Sequence, residues 1–310
     1  MEDGLSFDIS GARSALKDAG IVFKENVPAG DCTTFKTGGE ISIVACPQTS
    51  QQYTACISTF KKNNVPFYIL GNGSNLLVLD GGFHGVLVST VQMDSVSVDG
   101  HLITALAGTR LKALVNASVR HGLTGLEFAG GIPGTVGGGV YMNAGAYDGE
   151  LSDFIDSALV SDGDGNVKTL SNADLHLSYR HSRLMDEPLF LISCTFRLTS
   201  GDREASMEKV RRLNARRREK QPLEYPSAGS TFKRPEGHFA GALIEAAGMK
   251  GVSVGGAQVS EKHAGFIINK DNASASDIAA LIEKVQQAVF RTSGVVLEPE
   301  VRMIGTEAKK

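Results

Sequence analysis

No stretch of this 310-residue sequence approaches the ~20 consecutive apolar residues that span a bilayer, so the expectation is a protein with no membrane partner. The opening "MEDGLSFDIS" carries acidic residues where a secretory leader places basic ones before an apolar run, and a cytoplasmic location is expected. Cysteine is scarce. Cys32, Cys46, Cys56 and Cys194 form no CxxC pair and no metal-ligand spacing, and free thiols are expected. The seven histidines are scattered, none in an HExxH-like pair, so no metal is expected. Positive charge is not in excess: the net charge is −3 and the isoelectric point about 6.2, which argues against nucleic acid as a partner. The chain has no repeat of fixed period and no low-complexity tract.

What is present reads as an ordinary globular chain, 42% hydrophobic and long enough for two or three domains. An amphipathic helix is expected over residues 8–19, stopping at Gly20. "ISIVACP" reads as a strand, "TSQQYTACISTFKKNNVP" as a helix with a threonine N-cap and a proline stop, and "PFYIL" as a buried strand. Strands are expected at "NLLVLD", "GVLVST" and "HLITALAG", then a helix over residues 110–121 with Gly122 as its cap. "SALVSDGDGNVKTL" reads as a hairpin and "PLFLISCTFRL" as a strand. The polar helix "GDREASMEKVRRLNARRREKQP" marks the expected domain boundary. Beyond it come a helix at "GALIEAAG", a strand at "AGFIINK", a helix from Ser276 to about Arg291 entered through "SASD", and a final strand "VVLEPEVRMIG". The fold class is α+β or α/β, with residues 1–200 in one region (subdomains about 1–85 and 86–200) and residues 201–310 in a second.

Glycine is concentrated in two places. "GNGSN" (71–75) lacks the third glycine of a dinucleotide fingerprint, since Leu76 stands nearby and a strand follows. It reads as a strand-loop-strand whose N–H groups form an anion nest suited to a pyrophosphate, although such turns are common on their own. Six of the ten residues from Gly130 to Gly139 are glycine, far more than a hairpin turn requires. Each costs regular structure roughly 0.5 to 1 kcal/mol against alanine, so close approach of the main chain to something flat or charged is expected. Two such loops fit one extended ligand, such as a flavin dinucleotide.

The ordered series "FKTGG", "GNGSN", "LEFAGGIPGTVGGGVYMNAGAYDGE", "YRHSRL", "PSAGSTFKRP", "GGAQVSEKHAGFIIN" and "LEPEVRMIG" resembles the bacterial UDP-N-acetylenolpyruvoylglucosamine reductases over about residues 30–305. The resemblance implies an α+β protein: a vanillyl-alcohol-oxidase-type (PCMH-like) FAD-binding domain with two α/β subdomains, and a smaller α+β substrate-binding domain. It implies reduction of the enolpyruvyl ether of a UDP-sugar, with FAD as cofactor and NADPH as electron donor, by a monomer. FAD is then expected at Gly71, Asn72, Gly73, Ser74, Asn75, Gly130, Gly131, Gly134, Thr135, Gly138, Asn143 and Gly145.

By the same resemblance, Ser230 in "AGSTFK" is the proton donor, and Arg180 and Glu300 are its catalytic partners. Glu298 falls on the same strand face as Glu300, and the pattern alone does not separate them. Taken singly, Ser230 reads as a turn serine, Arg180 as a surface ion-pair partner and Glu300 as an exposed strand residue beside Arg302. Arg212, Arg216 and Lys220 recur at i, i+4 and i+8, which makes one basic stripe on a helix. The resemblance selects Arg216, Arg217 and Lys220 for the substrate diphosphate, with Arg302 as a further contact. His263 reads either as a pocket residue or as a structural histidine.

Two departures stand out. Residues 197–221 contain no tyrosine, so the chain resembles the shorter subtype, which lacks a tyrosine-bearing loop. Arg234 follows "FK" where many members carry asparagine. The rival readings are an FAD oxidase of the wider vanillyl-alcohol-oxidase superfamily and a non-catalytic nucleotide-sugar binder. Those oxidases often attach flavin through histidine, and neither glycine loop contains one.

Overall fold

The computed structural model describes residues 9–147 and 149–308; residue 8 and most of "MEDGLSFDIS" lie outside the described residues. Two compact units emerge, one from Met1–Glu25, Ile43–Asn72 and His84–Ala215, the other from Asn26–Ser42, Gly73–Phe83 and Arg216–Lys310.

A four-stranded sheet takes the order Val22–Pro28, Glu40–Cys46, Phe83–Ser89 and Phe67–Leu70, the last two parallel. In the first unit the helices Ile9–Asp18 and Ser50–Lys62 pack together, and Leu16, Ile43, Ile57, Phe60 and Val86 share one core. Helix Ser50–Lys62 begins where the Thr49 hydroxyl accepts from the Gln52 N–H at 3.1 Å, and it buries Tyr53, Cys56, Ile57 and Phe60, one face at helical spacing. The unit's larger sheet is antiparallel throughout, in the order Val167–Ser171, Ile155–Ser161, Phe190–Arg197, Leu102–Leu106, Val96–Asp99. Its hairpin turns at Gly163 and Gly165, both at positive φ, with Asp162 accepting from the N–H groups of Asp164 and Asn166. Helix Leu111–Arg120 covers a core that includes Leu114, Val115, Ile103 and Phe196, and Gly122 at φ +67° ends it.

In the second unit, helix Ala275–Ser293 starts with a reciprocal capping box between Ser274 and Asp277 and ends at Gly294 in the left-handed conformation. Asp80 adds a second cap, accepting from the N–H groups of Ala275 at 2.9 Å and Ser276 at 2.8 Å. Ile278, Leu281, Ile282 and Val285 bury this helix in a core shared with Phe35, Leu77 and Ile267. A three-stranded antiparallel sheet, Ser253–Val254, Ala257–Val259 and Ile267–Asn269, completes it. Among the described residues no helix is long and apolar enough to cross a membrane.

Several elements differ from expectation. Val22–Pro28 and Val96–Asp99 are strands that the residue pattern did not single out. Within the glycine cluster, Val136–Tyr141 is a short helix despite three consecutive glycines. The expected single strand "VVLEPEVRMIG" is instead two pieces that part at Val301. Residues 298–300 run antiparallel to 231–233, and Arg302–Ile304 runs parallel to Leu76–Val78. Pro299 is accommodated in the first piece because the bonds that flank it run from the N–H groups of Lys233 and Glu300.

Candidate active site

The two glycine turns meet. The Asn72 amide donates to the Pro133 carbonyl at 2.8 Å, and a Cβ at Gly71 would collide with the Thr135 hydroxyl. Thr135 is buried and caps Val136–Tyr141, accepting from the Gly138 N–H at 3.4 Å. The glycines here serve different ends. A Cβ at Gly130 would lie 3.2 Å from Val210, at Gly137 3.0 Å from the Ala107 carbonyl and at Gly139 2.9 Å from Leu151, so the protein itself needs their bareness. Gly138 alone of these is exposed, and a Cβ there would meet nothing nearer than the Thr135 hydroxyl at 3.8 Å. Gly73 sits at φ +62°, with the Cys32 carbonyl where a Cβ would go.

The cluster is anchored from behind. Glu127 is 2% exposed and accepts from the Thr124 hydroxyl at 2.7 Å, the Gly125 N–H at 3.1 Å and Lys209 at 3.1 Å. Burial alone pushes this carboxyl upward, but the bonds from Thr124, Gly125 and Lys209 outweigh it and hold its pKa at about 2. Lys209 belongs to helix Arg203–Lys220, which also reaches this region through Ser206 on Thr124 and through the Leu213 carbonyl, which accepts from Tyr147 Oη at 3.2 Å.

Arg180 rides a tight hairpin. Ser178 and His181 exchange N–H···O bonds at 3.2 Å each, leaving Tyr179 and Arg180 as the two turn residues. Arg180 has φ +55°, and it packs against the carbonyls of Asn143 (3.4 Å) and Gly145 (3.2 Å). Asn143 and Tyr147 are also left-handed, at φ +41° and +53°. Such conformations cost about 1 to 3 kcal/mol each for non-glycine residues and concentrate at functional sites. The Asn143 side chain is fully buried and engaged within the protein, with Ser152 and Ser178. No sequence pattern announced this left-handed trio.

In the second unit, the segments that carry Ser230 and Glu300 pair through their main chains. The Thr231 carbonyl accepts from the Glu300 N–H at 2.8 Å, and Phe232 pairs with Pro299. Ser230 is exposed at the end of this pairing, Glu300 is half-buried, and Glu298 points outward onto Lys233. The structure thus separates the two carboxylates that the strand pattern left equivalent. Asn75 also joins this strand: its amide donates to the Glu300 carbonyl at 3.1 Å, and its carbonyl accepts from the Arg302 N–H at 3.0 Å.

Arg212, Arg216 and Lys220 are all exposed along helix Arg203–Lys220, as a stripe requires, and Arg217 is half-buried. Arg302 is exposed. His263 is half-buried, and burial pushes its pKa below the usual histidine value. Its Nδ1 accepts from the Gly265 N–H at 3.1 Å and its ring packs edge-on against Phe266, a well-satisfied setting for a neutral imidazole. Arg234 stacks over the Phe239 ring at 4.0 Å and donates to the His238 carbonyl at 3.2 Å.

Residues 41–171 match the model of an FAD-binding domain, and residues 221–304 that of the UDP-N-acetylenolpyruvoylglucosamine reductase C-terminal domain. A glucooligosaccharide oxidase from Acremonium strictum shares the fold at a TM-score of 0.50 and 15% identity, over 91% of this chain and 58% of its own. The chain therefore carries an FAD-binding domain with a fold of the vanillyl-alcohol-oxidase type. UDP-N-acetylenolpyruvoylglucosamine reductases from Clostridium botulinum (strain Eklund 17B / Type B) and Clostridium novyi (strain NT) are 49% and 47% identical to it. They cover 92% and 98% of this chain, and 93% and 99% of their own lengths. The crystal structure of a UDP-N-acetylenolpyruvylglucosamine reductase from Thermus caldophilus aligns at a TM-score of 0.78 and 32% identity, over 91% of this chain and 98% of its own. The chain belongs to the UDP-N-acetylenolpyruvoylglucosamine reductase family.

The residues present fit the cofactor. Among the described residues, no acceptor is found for the main-chain N–H groups of Asn72, Gly73 and Ser74, a run of donors suited to a pyrophosphate. The exposed Gly138 adds bare backbone in the second turn.

Proposed function

We propose that this protein reduces the enolpyruvyl double bond of UDP-N-acetylglucosamine enolpyruvate to give UDP-N-acetylmuramate, a peptidoglycan precursor, at the expense of NADPH. The observation that supports the reading is the main-chain pairing of 231–233 with 298–300, which joins the segment next to Ser230 to the segment that carries Glu300. Residues 1–200 hold FAD, with residues 71–75 and the cluster from Gly130 to Gly145 facing it. Residues 201–310 hold the sugar nucleotide, through Arg216, Arg217, Lys220 and Arg302. His263, satisfied by Gly265, shapes the pocket in its neutral form. The protein works on small molecules, as a cytoplasmic monomer.

FAD held by residues 71–75 and the cluster from Gly130 to Gly145 would supply the hydride chemistry, with NADPH as the source of the hydride that the terminal alkene carbon receives. Negative charge then develops on the neighbouring carbon, conjugated with the carboxylate. The Arg180 guanidinium stabilises that enolate, the kind of fixed electrostatic contribution that dominates many rate enhancements. The Ser230 hydroxyl protonates the carbon, closing the C–H bond, and recovers its proton afterwards. Glu300 holds the groups around the enolate and supports that recovery.

The test is anaerobic. NADPH should bleach the flavin, and the UDP-enolpyruvyl sugar should restore its absorbance. Ser230→Ala should still be bleached, while its reoxidation by the sugar slows by ~10² to 10⁴. Reoxidation at the wild-type rate removes Ser230 from the role. Failure of the sugar to reoxidise wild-type protein ends the proposal.

A further inference from the structure

We infer that Asn143 is a positioning residue for Arg180, its amide holding the hairpin that presents the guanidinium. The inference rests on the proposed reaction, in which Arg180 stabilises the enolate. Its geometry is independent of any cofactor. The Asn143 amide nitrogen donates to the Ser178 carbonyl at 3.1 Å, at the base of the hairpin, and its oxygen accepts from the Ser152 N–H at 3.0 Å. The main-chain carbonyl of the same residue accepts from Arg180 itself. On the other arm, the buried Ser182 hydroxyl donates to the Tyr141 carbonyl at 2.7 Å, two residues before Asn143.

The segment 141–145 therefore grips the hairpin at Ser178, Arg180 and Ser182. That grip has a task, because Arg180 stands at φ +55° and a non-glycine residue leaves that conformation unless its surroundings hold it. Without the Asn143 amide, Ser178 keeps only its bonds to His181, and the turn can relax to negative φ. The guanidinium would then swing away from the carbonyls of Asn143 and Gly145. Asn143 is itself left-handed, a conformation that asparagine tolerates better than most residues, so one side chain satisfies both the local backbone and the distant turn.

The test uses FAD-loaded protein in the same anaerobic half-reactions, with Asn143→Ala, Arg180→Ala and the double variant. Asn143→Ala should slow reoxidation by the sugar by ~10 to 10²-fold, as misplacement of a reacting group does. The double variant should be no slower than Arg180→Ala, since nothing is left to aim. Losses that multiply, or wild-type reoxidation in Asn143→Ala, overturn the inference. Should Asn143→Ala not fold, Ser182→Ala repeats the cycle, with an expected loss of roughly 3- to 10-fold that vanishes on the Arg180→Ala background. Persistence of that loss on the Arg180→Ala background overturns it equally.

Trypsin supplies a readout that needs no turnover. Cleavage after Arg180 should run roughly tenfold faster in Asn143→Ala and in Ser182→Ala than in wild-type holoenzyme, because the loosened turn opens more often. Unchanged cleavage overturns the inference. The sugar failing to reoxidise the wild-type flavin would instead defeat the proposed reaction, while the trypsin result still reports on the grip.

Discussion

The two glycine turns look alike in the sequence and behave differently in the molecule. In the cluster from Gly130 to Gly139, Gly130, Gly137 and Gly139 are bare because Val210, the Ala107 carbonyl and Leu151 press on them. Gly138, by contrast, is exposed, and a Cβ there would meet nothing nearer than the Thr135 hydroxyl at 3.8 Å. In "GNGSN", Gly71 and Gly73 are also bare for the protein's sake, yet among the described residues no acceptor is found for the main-chain N–H groups of Asn72, Gly73 and Ser74. Glycine density therefore measures crowding of the main chain, and ligand and protein crowd it equally well. What distinguishes a cradle is the orphaned donors and the exposed glycine.

That contrast can be broken experimentally, beginning at Gly73. Gly73→Ala places a methyl against the Cys32 carbonyl at φ +62° and should cost roughly 3 kcal/mol, measured by urea unfolding. Stability near wild type would mean that the turn yields, and that its bareness serves the ligand instead. Glu127→Gln tests the anchor behind the other cluster, and should cost about 2 kcal/mol by leaving Lys209 without its carboxylate. The sign with pH follows from the depressed carboxyl. Its folded pKa of about 2 lies below the ordinary 4.5, so its contribution is complete above about pH 4.5 and is lost as pH falls toward 2. Stability should fall for wild type between about pH 6 and about pH 3, by roughly 2 kcal/mol from this group, and that portion should vanish in Glu127→Gln. The smallest effect is the sharpest test. Gly138→Ala should raise stability by about 0.5 to 1 kcal/mol through helix propensity, yet weaken FAD binding by about tenfold in a flavin titration. Unchanged FAD affinity would take Gly138 out of the cradle.

Much of the architecture was legible because local physics wrote it. Thr49 before "SQQYTACISTFKK", "SASD" before the last long helix, and "DGDGN" between two strands are caps and turns whose donors and acceptors lie within a few residues. The helix Val136–Tyr141 was not legible, since three glycines argue against it; packing against Ala107, Leu111 and Leu151 overrides the propensity. The strand expected over 295–305 is two pieces, and periodicity carries no record of the change of partner at Val301. For the candidate site, the ordered motifs point to Ser230, Arg180 and Glu300 and leave Glu298 and Glu300 equivalent; in the structure Glu298 is exposed and paired with Lys233, while Glu300 is half-buried.

The sequence alone determined the elements, the glycine-rich turns and the family. These depend on short-range caps, side-chain periodicity and an ordered series of motifs, all of which a linear string preserves. Tertiary structure alone decided which glycines are bare for the protein, that Asn143 grips the turn of Arg180, and that Asn26–Ser42 and Gly73–Phe83 fold with Arg216–Lys310. Those outcomes rest on van der Waals contact and hydrogen bonds between residues far apart in the chain, and distance in space is not encoded in neighbouring letters.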